Sequence, residues 1–256
     1  MSDIRSLSPR LPSSDEITFS SEKSLFSTEI YAVSYTHLNT FFAVLCDGMG
    51  GYAGGKVAGQ LACFAAADYI EEYCSDFGIP ENAEPMLKEA VAKANGVVFS
   101  QSLKNEEYKG MGSTIVVFWV RENKASVCHV GDSRLYLFRN GTLSQVTKDH
   151  SVVQELIDRG EIEENEAVGH PLKNVITKAV GVPEKTEGDI DNIELLPDDI
   201  ILICSDGLSS YVSEENIAET LSLYGTTEEC CDQLIGLANG VGGKDNVTVV
   251  LYGKED

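Results

Sequence analysis

Positive charge is scarce in this chain: 19 Lys and Arg stand against 41 Asp and Glu, a formal net charge of −22 over 256 residues. Such a surface repels a polyphosphate backbone instead of neutralising it, so nucleic acid is not an expected partner. Long apolar runs are missing as well. No stretch approaches the roughly 18 residues that a membrane helix needs, and none follows Asp3 and Arg5, which argues against membrane insertion or export. There is no Cys-x-x-Cys pair, and the 7 cysteines (46, 63, 74, 128, 204, 230, 231) are odd in number. A disulfide framework and a structural zinc site are thereby disfavoured, and the cysteines read as small core residues in a reducing cytoplasm. What is present, 43% hydrophobic and 23% charged residues, is ordinary for a globular protein of one domain.

Residues 1–15, rich in Ser and Pro, read as a flexible leader, and 16–256 as the folded domain. Apolar continuity predicts strands at Ile30–Val33, Phe41–Cys46 and Ile200–Cys204, while helical spacing predicts helices over Lys56–Cys74 and Met86–Val98. β-Branched runs predict an antiparallel meander of Ser113–Val120, Ala125–Val130, Arg134–Phe138 and Thr142–Val146, the last two joined by an Asn140-Gly141 turn. A short helix follows at Ser151–Arg159. The acidic, irregular stretch from about 160 to 195 reads as a mobile flap. Ser213 starts a helix that Gly225 stops, the capping-box spacing of Thr226 and Glu229 starts another, and Val247–Tyr252 is the last strand. Blocks of strands and blocks of helices, rather than βαβ alternation, make this an α+β chain with helices flanking packed sheets.

Aspartates mark the ends of the buried strands. Asp47, Asp132 and Asp206 each follow an apolar run, and Asp245 precedes one that leads away from it. If that last strand is antiparallel to the others, all four carboxylates reach one edge of the sheets. A single Asp-Gly is adequately explained as a turn; four such aspartates abutting buried strands point to a site. Carboxylates gathered together repel, so protons or cations must accompany them. Hard carboxylate oxygens as ligands suit Mg²⁺ or Mn²⁺ better than zinc. Gly48 would let a backbone carbonyl approach an ion, and the glycines at 50, 51, 54 and 55 would allow a tight turn into the next helix.

Seven motifs then occur in order: Asp47-Gly48-Met49-Gly50-Gly51, Gly112-Ser113-Thr114, Gly131-Asp132-Ser133-Arg134, Thr147-Lys148-Asp149-His150-Ser151, His170-Pro171, Cys204-Ser205-Asp206-Gly207-Leu208 and Gly243-Lys244-Asp245-Asn246. As an ordered set covering about residues 40 to 252, they resemble the PP2C (PPM) family of metal-dependent protein serine/threonine phosphatases, bacterial type. The resemblance implies a four-layer α–β–β–α sandwich of two antiparallel sheets, with two Mn²⁺ or Mg²⁺ ions at one end. It implies that Asp47 bridges both ions, that the Gly48 carbonyl binds the second, and that Asp206 and Asp245 hold the first, with Asn246 beside them. Asp132 with Asp206 matches a third, weaker metal site. In the family reaction a metal-bridging water attacks phosphorus in line. The implied partners are phosphorylated proteins, a serine/threonine kinase among them, met by a cytoplasmic monomer.

The chain departs from the family where an arginine and Asn-Glu-Asp usually precede the first Asp-Gly; here the region reads Lys23-Ser24-Leu25-Phe26-Ser27-Thr28-Glu29. Lys23 could stand near the phosphate and Glu29 could replace the acid that organises water, or both could be ordinary solvated residues. A lysine lacks the guanidinium fork, which motivates a second function, a catalytically poor regulator that binds metal and phosphoproteins. A metal-dependent nuclease is disfavoured by the charge. His150 and His170 are candidate proton donors to the leaving oxygen, though structural roles suit them better. Arg134 reads as a structural ion-pair partner.

Overall fold

The computed structural model describes residues 17–21, 28–35, 40–167, 169–243 and 245–253. The leader and Lys23 lie outside them. In chain order the elements are β1 (Ile17–Ser21), β2 (Thr28–Tyr35), β3 (Thr40–Met49), α1 (Gly51–Phe77), α2 (Glu84–Lys104), β4 (Gly112–Ser113), β5 (Ile115–Arg121), β6 (Lys124–Val130), β7 (Arg134–Arg139), β8 (Thr142–Gln145), α3 (Val152–Asp158), α4 (Glu164–Ala167), β9 (Asp189–Glu194), β10 (Ile200–Cys204), α5 (Asp206–Ser209), α6 (Glu214–Tyr224), α7 (Glu228–Gly240) and β11 (Thr248–Gly253).

Two antiparallel sheets form, ordered β1-β11-β10-β7-β8 and β2-β3-β5-β6-β9, with β4 added to the end of β3. Their strands alternate between two interiors, which is why they read as continuous apolar runs. Phe41, Ala43 and Leu45 of β3 pack between the sheets with Val116, Phe118, Ile201, Ile203, Val250 and Tyr252. Phe42, Val44 and Cys46 pack instead beneath α1 and α2 with Ala62, Ala66, Leu87 and Val91. On the opposite outer face, Leu202, Cys204, Val249 and Leu251 pack under α6 and α7 with Ile217, Leu221, Cys231 and Leu234. The layers are therefore helix, sheet, sheet, helix. Six of the seven cysteines are buried and all seven are free thiols, filling core volume as expected. Among the described residues no helix is long and apolar enough to cross a membrane.

Several sequence expectations change. The four-strand meander is broken: β5 pairs β6 in one sheet and β7 pairs β8 in the other, so the chain changes sheets across Gly131-Asp132-Ser133. The irregular reading of 160–195 fails over its second half. Val180 and Ser113 exchange backbone hydrogen bonds of 2.9 and 3.0 Å, buried Asn95 holds the Gly181 N–H at 2.7 Å, and Asp189–Glu194 forms an edge strand on β6. The last helix is capped by Thr227, whose Oγ1 accepts from the Cys230 N–H at 3.2 Å, while Thr226 is buried. Ser213 caps α6 as read from sequence, and Ser151 caps α3.

Candidate active site

Strand direction brings the aspartates together. Asp47 lies near the end of β3, Asp206 opens α5 just after β10, Asp245 stands before β11, and Asp132 lies in the crossover between sheets. β10 and β11 are antiparallel with Cys204 opposite Val249, and β7 enters beside β10 with Arg134 opposite Cys204. The end of β10 and the starts of β7 and β11 thus share one edge. The other sheet reaches the same edge, because β6 ends at Val130 opposite the start of β5, which is where β3 ends.

Electrostatics register this proximity. The Asp206 carboxyl is held well above the usual carboxylate range, first by burial and then by the charges of Asp132, Asp47 and Asp245, and it shares a hydrogen bond with Asp47. Asp132 is pushed up to about 6, chiefly by burial; Asp149 and Asp245 add to the rise and Arg134 opposes it. Positive charge beside them would favour the ionised form of both groups. The donor set at the edge is oxygen, since burial pushes the neighbouring Cys204 thiol up to about 12 and keeps it protonated. In chemistry and charge the edge therefore fits a hard divalent cation. As they stand, no three His, Cys, Asp or Glu side chains among the described residues are close enough to share one ion. Asp206 is the hub to which the other three carboxylates are referred.

Backbone contacts hold the edge in place. A Cβ on Gly48 would stand 1.8 Å from the Gly55 carbonyl oxygen, and one on Gly207 would stand 2.0 Å from that of Asn246. Glycine at 48 is thus required first by the approach of α1 to β3, and glycine at 207 by the approach of α5 to the Asp245-Asn246 segment. Buried hydroxyls reinforce both contacts. The Asp47 N–H donates to Thr114 Oγ1 at 3.1 Å, the Asp47 carbonyl accepts from the Thr114 N–H at 2.8 Å and from Ser113 Oγ at 3.0 Å, and Thr114 Oγ1 is 2.8 Å from Ser133 Oγ. Ser205 Oγ donates to the Asn246 carbonyl at 3.0 Å and accepts from the Thr248 N–H at 3.1 Å. Asn246 in turn donates its N–H to Asp245 Oδ1 at 2.8 Å.

A match to known proteins settles what this arrangement belongs to. The family model described as Protein phosphatase 2C matches residues 30–234. The chain belongs to the protein phosphatase 2C family. The serine/threonine phosphatase stp of Listeria monocytogenes serotype 4b is 36% identical over 217 residues, 85% of this chain and 86% of that protein. Stp1 from Staphylococcus aureus superposes with a TM-score of 0.85 at 33% identity, covering 96% of this chain and 97% of that one. The catalytic domain of the phosphatase PstP, solved with 2 manganese ions, superposes with a TM-score of 0.80 at 33% identity over 94% of this chain and 98% of that one.

Other residues singled out from sequence fall less centrally in this phosphatase. Arg134 makes a two-pronged ion pair with Asp149, 2.9 and 2.8 Å, and a third bond to Tyr136 Oη at 2.8 Å, so its role is structural. His170 makes local contacts, accepting at Nδ1 from the Leu172 N–H at 3.2 Å. His150 is built into the frame beside Gly131 rather than presented to solvent. Glu29 pairs in register with Cys46, one residue from the Thr28–Asp47 pair. Sequence reasoning did not give roles to Ser113, Thr114, Ser133 and Ser205. Only Ser133 and Ser205 carry a local signal, a hydroxyl residue beside Asp132 and beside Asp206; Ser113 and Thr114 stand far from Asp47 in sequence. Tyr211 was also missed; its hydroxyl is raised by burial and by Asp245 and Asp206.

Proposed function

We propose that the chain hydrolyses phosphoserine and phosphothreonine esters of proteins at the aspartate edge, using two divalent cations, Mn²⁺ or Mg²⁺. The chain is a phosphatase by family, and the observation that carries the finer reading is the shared edge of Asp47, Asp132, Asp206 and Asp245, two of whose carboxyls are raised above the usual range by burial and by one another. Asp47, the Gly48 carbonyl, Asp206 and Asp245 would hold the two ions, and Asp132 with Asp206 a third, weaker one. When bound, such ions supply a water of lowered pKa and offset charge on the phosphoryl oxygens.

The chain's own residues supply position. Ser205 and Gly207 fix Asp206 against the Asp245-Asn246 segment; Ser113 and Thr114 fix Asp47; Asn246 orients the Asp245 carboxylate through its N–H. Held this way, the carboxylates need little reorganisation when the phosphoryl group arrives. The exposed turns between α3 and the pinned residues near 180 would meet the protein part of the substrate, a serine/threonine kinase among the candidates. Free thiols throughout suit a reducing cytoplasm. Nothing in the described residues favours a catalytically poor regulator, whose motive, the Lys23 segment, lies mostly outside them. Manganese-dependent release of phosphate from a phosphothreonine peptide, suppressed by chelation, is the test; a purified protein that releases none contradicts the proposal.

A further inference from the structure

The frame around Asp132 contains a polar arrangement that the phosphatase reading leaves without a role. Gly131, immediately before Asp132, has φ +107 and is held by His150 from two sides: its carbonyl accepts from the His150 N–H at 2.9 Å, and its own N–H donates to His150 Nδ1 at 3.0 Å. The imidazole of His150 stacks on that of His129, with centroids 4.8 Å apart and planes 6° from parallel. His129 Nε2 lies 2.9 Å from the Lys148 carbonyl, which can only accept, so its proton sits there. His150 Nδ1 must present a lone pair to Gly131, which places its proton on Nε2. That Nε2 lies 3.2 Å from Asp189 Oδ2, within ion-pair range but off the line of a hydrogen bond, and Asp189 Oδ1 is bonded to Lys178 Nζ at 2.7 Å.

The same histidine is tied to the segment that follows the exposed turns. Its carbonyl accepts from the Thr177 N–H at 2.8 Å, and the next residues bridge to that segment through Ser151 with Ile176 and the Val152 N–H with the Val175 carbonyl, 2.9 Å. The charged and titratable groups facing the ring are His129, Asp189 and Lys178, whereas Asp149, its chain neighbour, is turned to Arg134. Burial, His129 and Lys178 hold the ring below the usual histidine range and Asp189 opposes them, so the neutral form required by the Gly131 bond prevails near neutrality.

We propose that His150 is a positioning residue for Asp132: its neutral imidazole fixes the Gly131 peptide through Nδ1, with Asp189 facing its Nε2, and so links the root of the substrate-facing segment to the weaker metal position. The inference rests on the phosphatase reading above. Outer partners that orient a metal-holding group commonly change metal affinity by about 10- to 100-fold when altered.

The two amide substitutions separate the ring nitrogens, because an Asn side chain reaches to about the place of Nδ1 and a Gln side chain to that of Nε2. His150→Asn keeps an acceptor for Gly131, and His150→Gln removes it. Calorimetric titration of the full chain with Mn²⁺ should show the weakest binding step reduced at least about tenfold in His150→Gln. In His150→Asn it should stay within about threefold of the unsubstituted protein, with thermal midpoints alike in all three. The Mn²⁺ concentration that half-activates aryl phosphate turnover should follow the same order. Equal behaviour of the two variants, both impaired or both unaffected, overturns the assignment. If His150→Gln does not fold, His150→Asn decides alone: retained binding supports the Nδ1 role and lost binding overturns it. An unsubstituted protein without Mn²⁺-dependent turnover sinks the proposed function, while the calorimetric comparison still judges the positioning role.

Discussion

The two ends of the sandwich are held by different physics. At the end remote from the aspartates, the sheets meet through aromatic rings: Phe41 stacks on Tyr252 at 5.3 Å, and Phe118 meets Tyr252 edge-on at 5.7 Å. Area removed from water stabilises that end without fixing any one bond. At the aspartate end, the same strands finish in carboxylates that oppose one another, held by glycine contacts and single buried hydroxyls. One end supplies stability and the other draws on it, the pattern expected where a site gathers like charge.

The sharpest way to break this comparison is to exchange the consequences of substitutions at the two ends. Asp206→Asn should lower Mn²⁺-dependent turnover by more than the roughly 100-fold upper value for a lost outer partner, while chelated protein melts no lower than the unsubstituted chain, since a repelling carboxyl is removed. A drop in both activity and melting temperature would instead make Asp206 a structural residue. Phe118→Ala, at a fully buried position, should behave oppositely. It should cost about 3–5 kcal/mol in denaturant unfolding yet keep the kcat of the folded fraction.

Smaller effects sharpen the picture. Thr114→Val leaves the Asp47 N–H and Ser133 Oγ without their shared oxygen, and should cost about 1–3 kcal/mol together with a fall in kcat. Unchanged kcat at reduced stability would separate that hydroxyl from the chemistry. In chelated protein, Asp132 has its folded value raised from 3.8 to about 6, so the unfolded chain releases its proton first as pH rises. Its favourable contribution is therefore present below about pH 3.8 and disappears as pH passes about 6. Melting curves of the unsubstituted protein against Asp132→Asn across pH 4 to 7 should show that extra decline only with the aspartate. The smallest expected effect concerns the exposed turns: shortening residues 161–174 should alter phosphopeptide turnover more than aryl phosphate turnover, and equal losses on both substrates would remove their part in substrate choice.

How much was legible follows from the same contrast. β3 and β10 could be read directly because both faces of each are buried, so continuity of apolar residues was itself the signal. β9 could not: Asp189-Ile190-Asp191-Asn192-Ile193-Glu194 is an acidic edge strand whose order comes from pairing with β6. β1 escaped notice for want of pattern in five residues, and α5 is four residues long. In sequence the capping-box spacing with Glu229 favours Thr226, but in the structure Thr226 is buried and Thr227 caps the helix. The convergence of Asp47, Asp132, Asp206 and Asp245 was inferable from strand ends and directions. The hydroxyls that hold them were not, because Thr114 and Asp47 are 67 residues apart and Ser205 and Asn246 are 41 apart.

By itself, then, the sequence determined where strands end in aspartate and which residues face apolar interiors, since these depend on local composition and period. Tertiary structure alone decided that the chain changes sheets at Gly131-Asp132-Ser133, that Gly48 touches Gly55, and that His150 grips the peptide before Asp132. None of these is set by local composition or period. Their closeness is set by the packing of whole layers, and no local pattern encodes a distance of that kind.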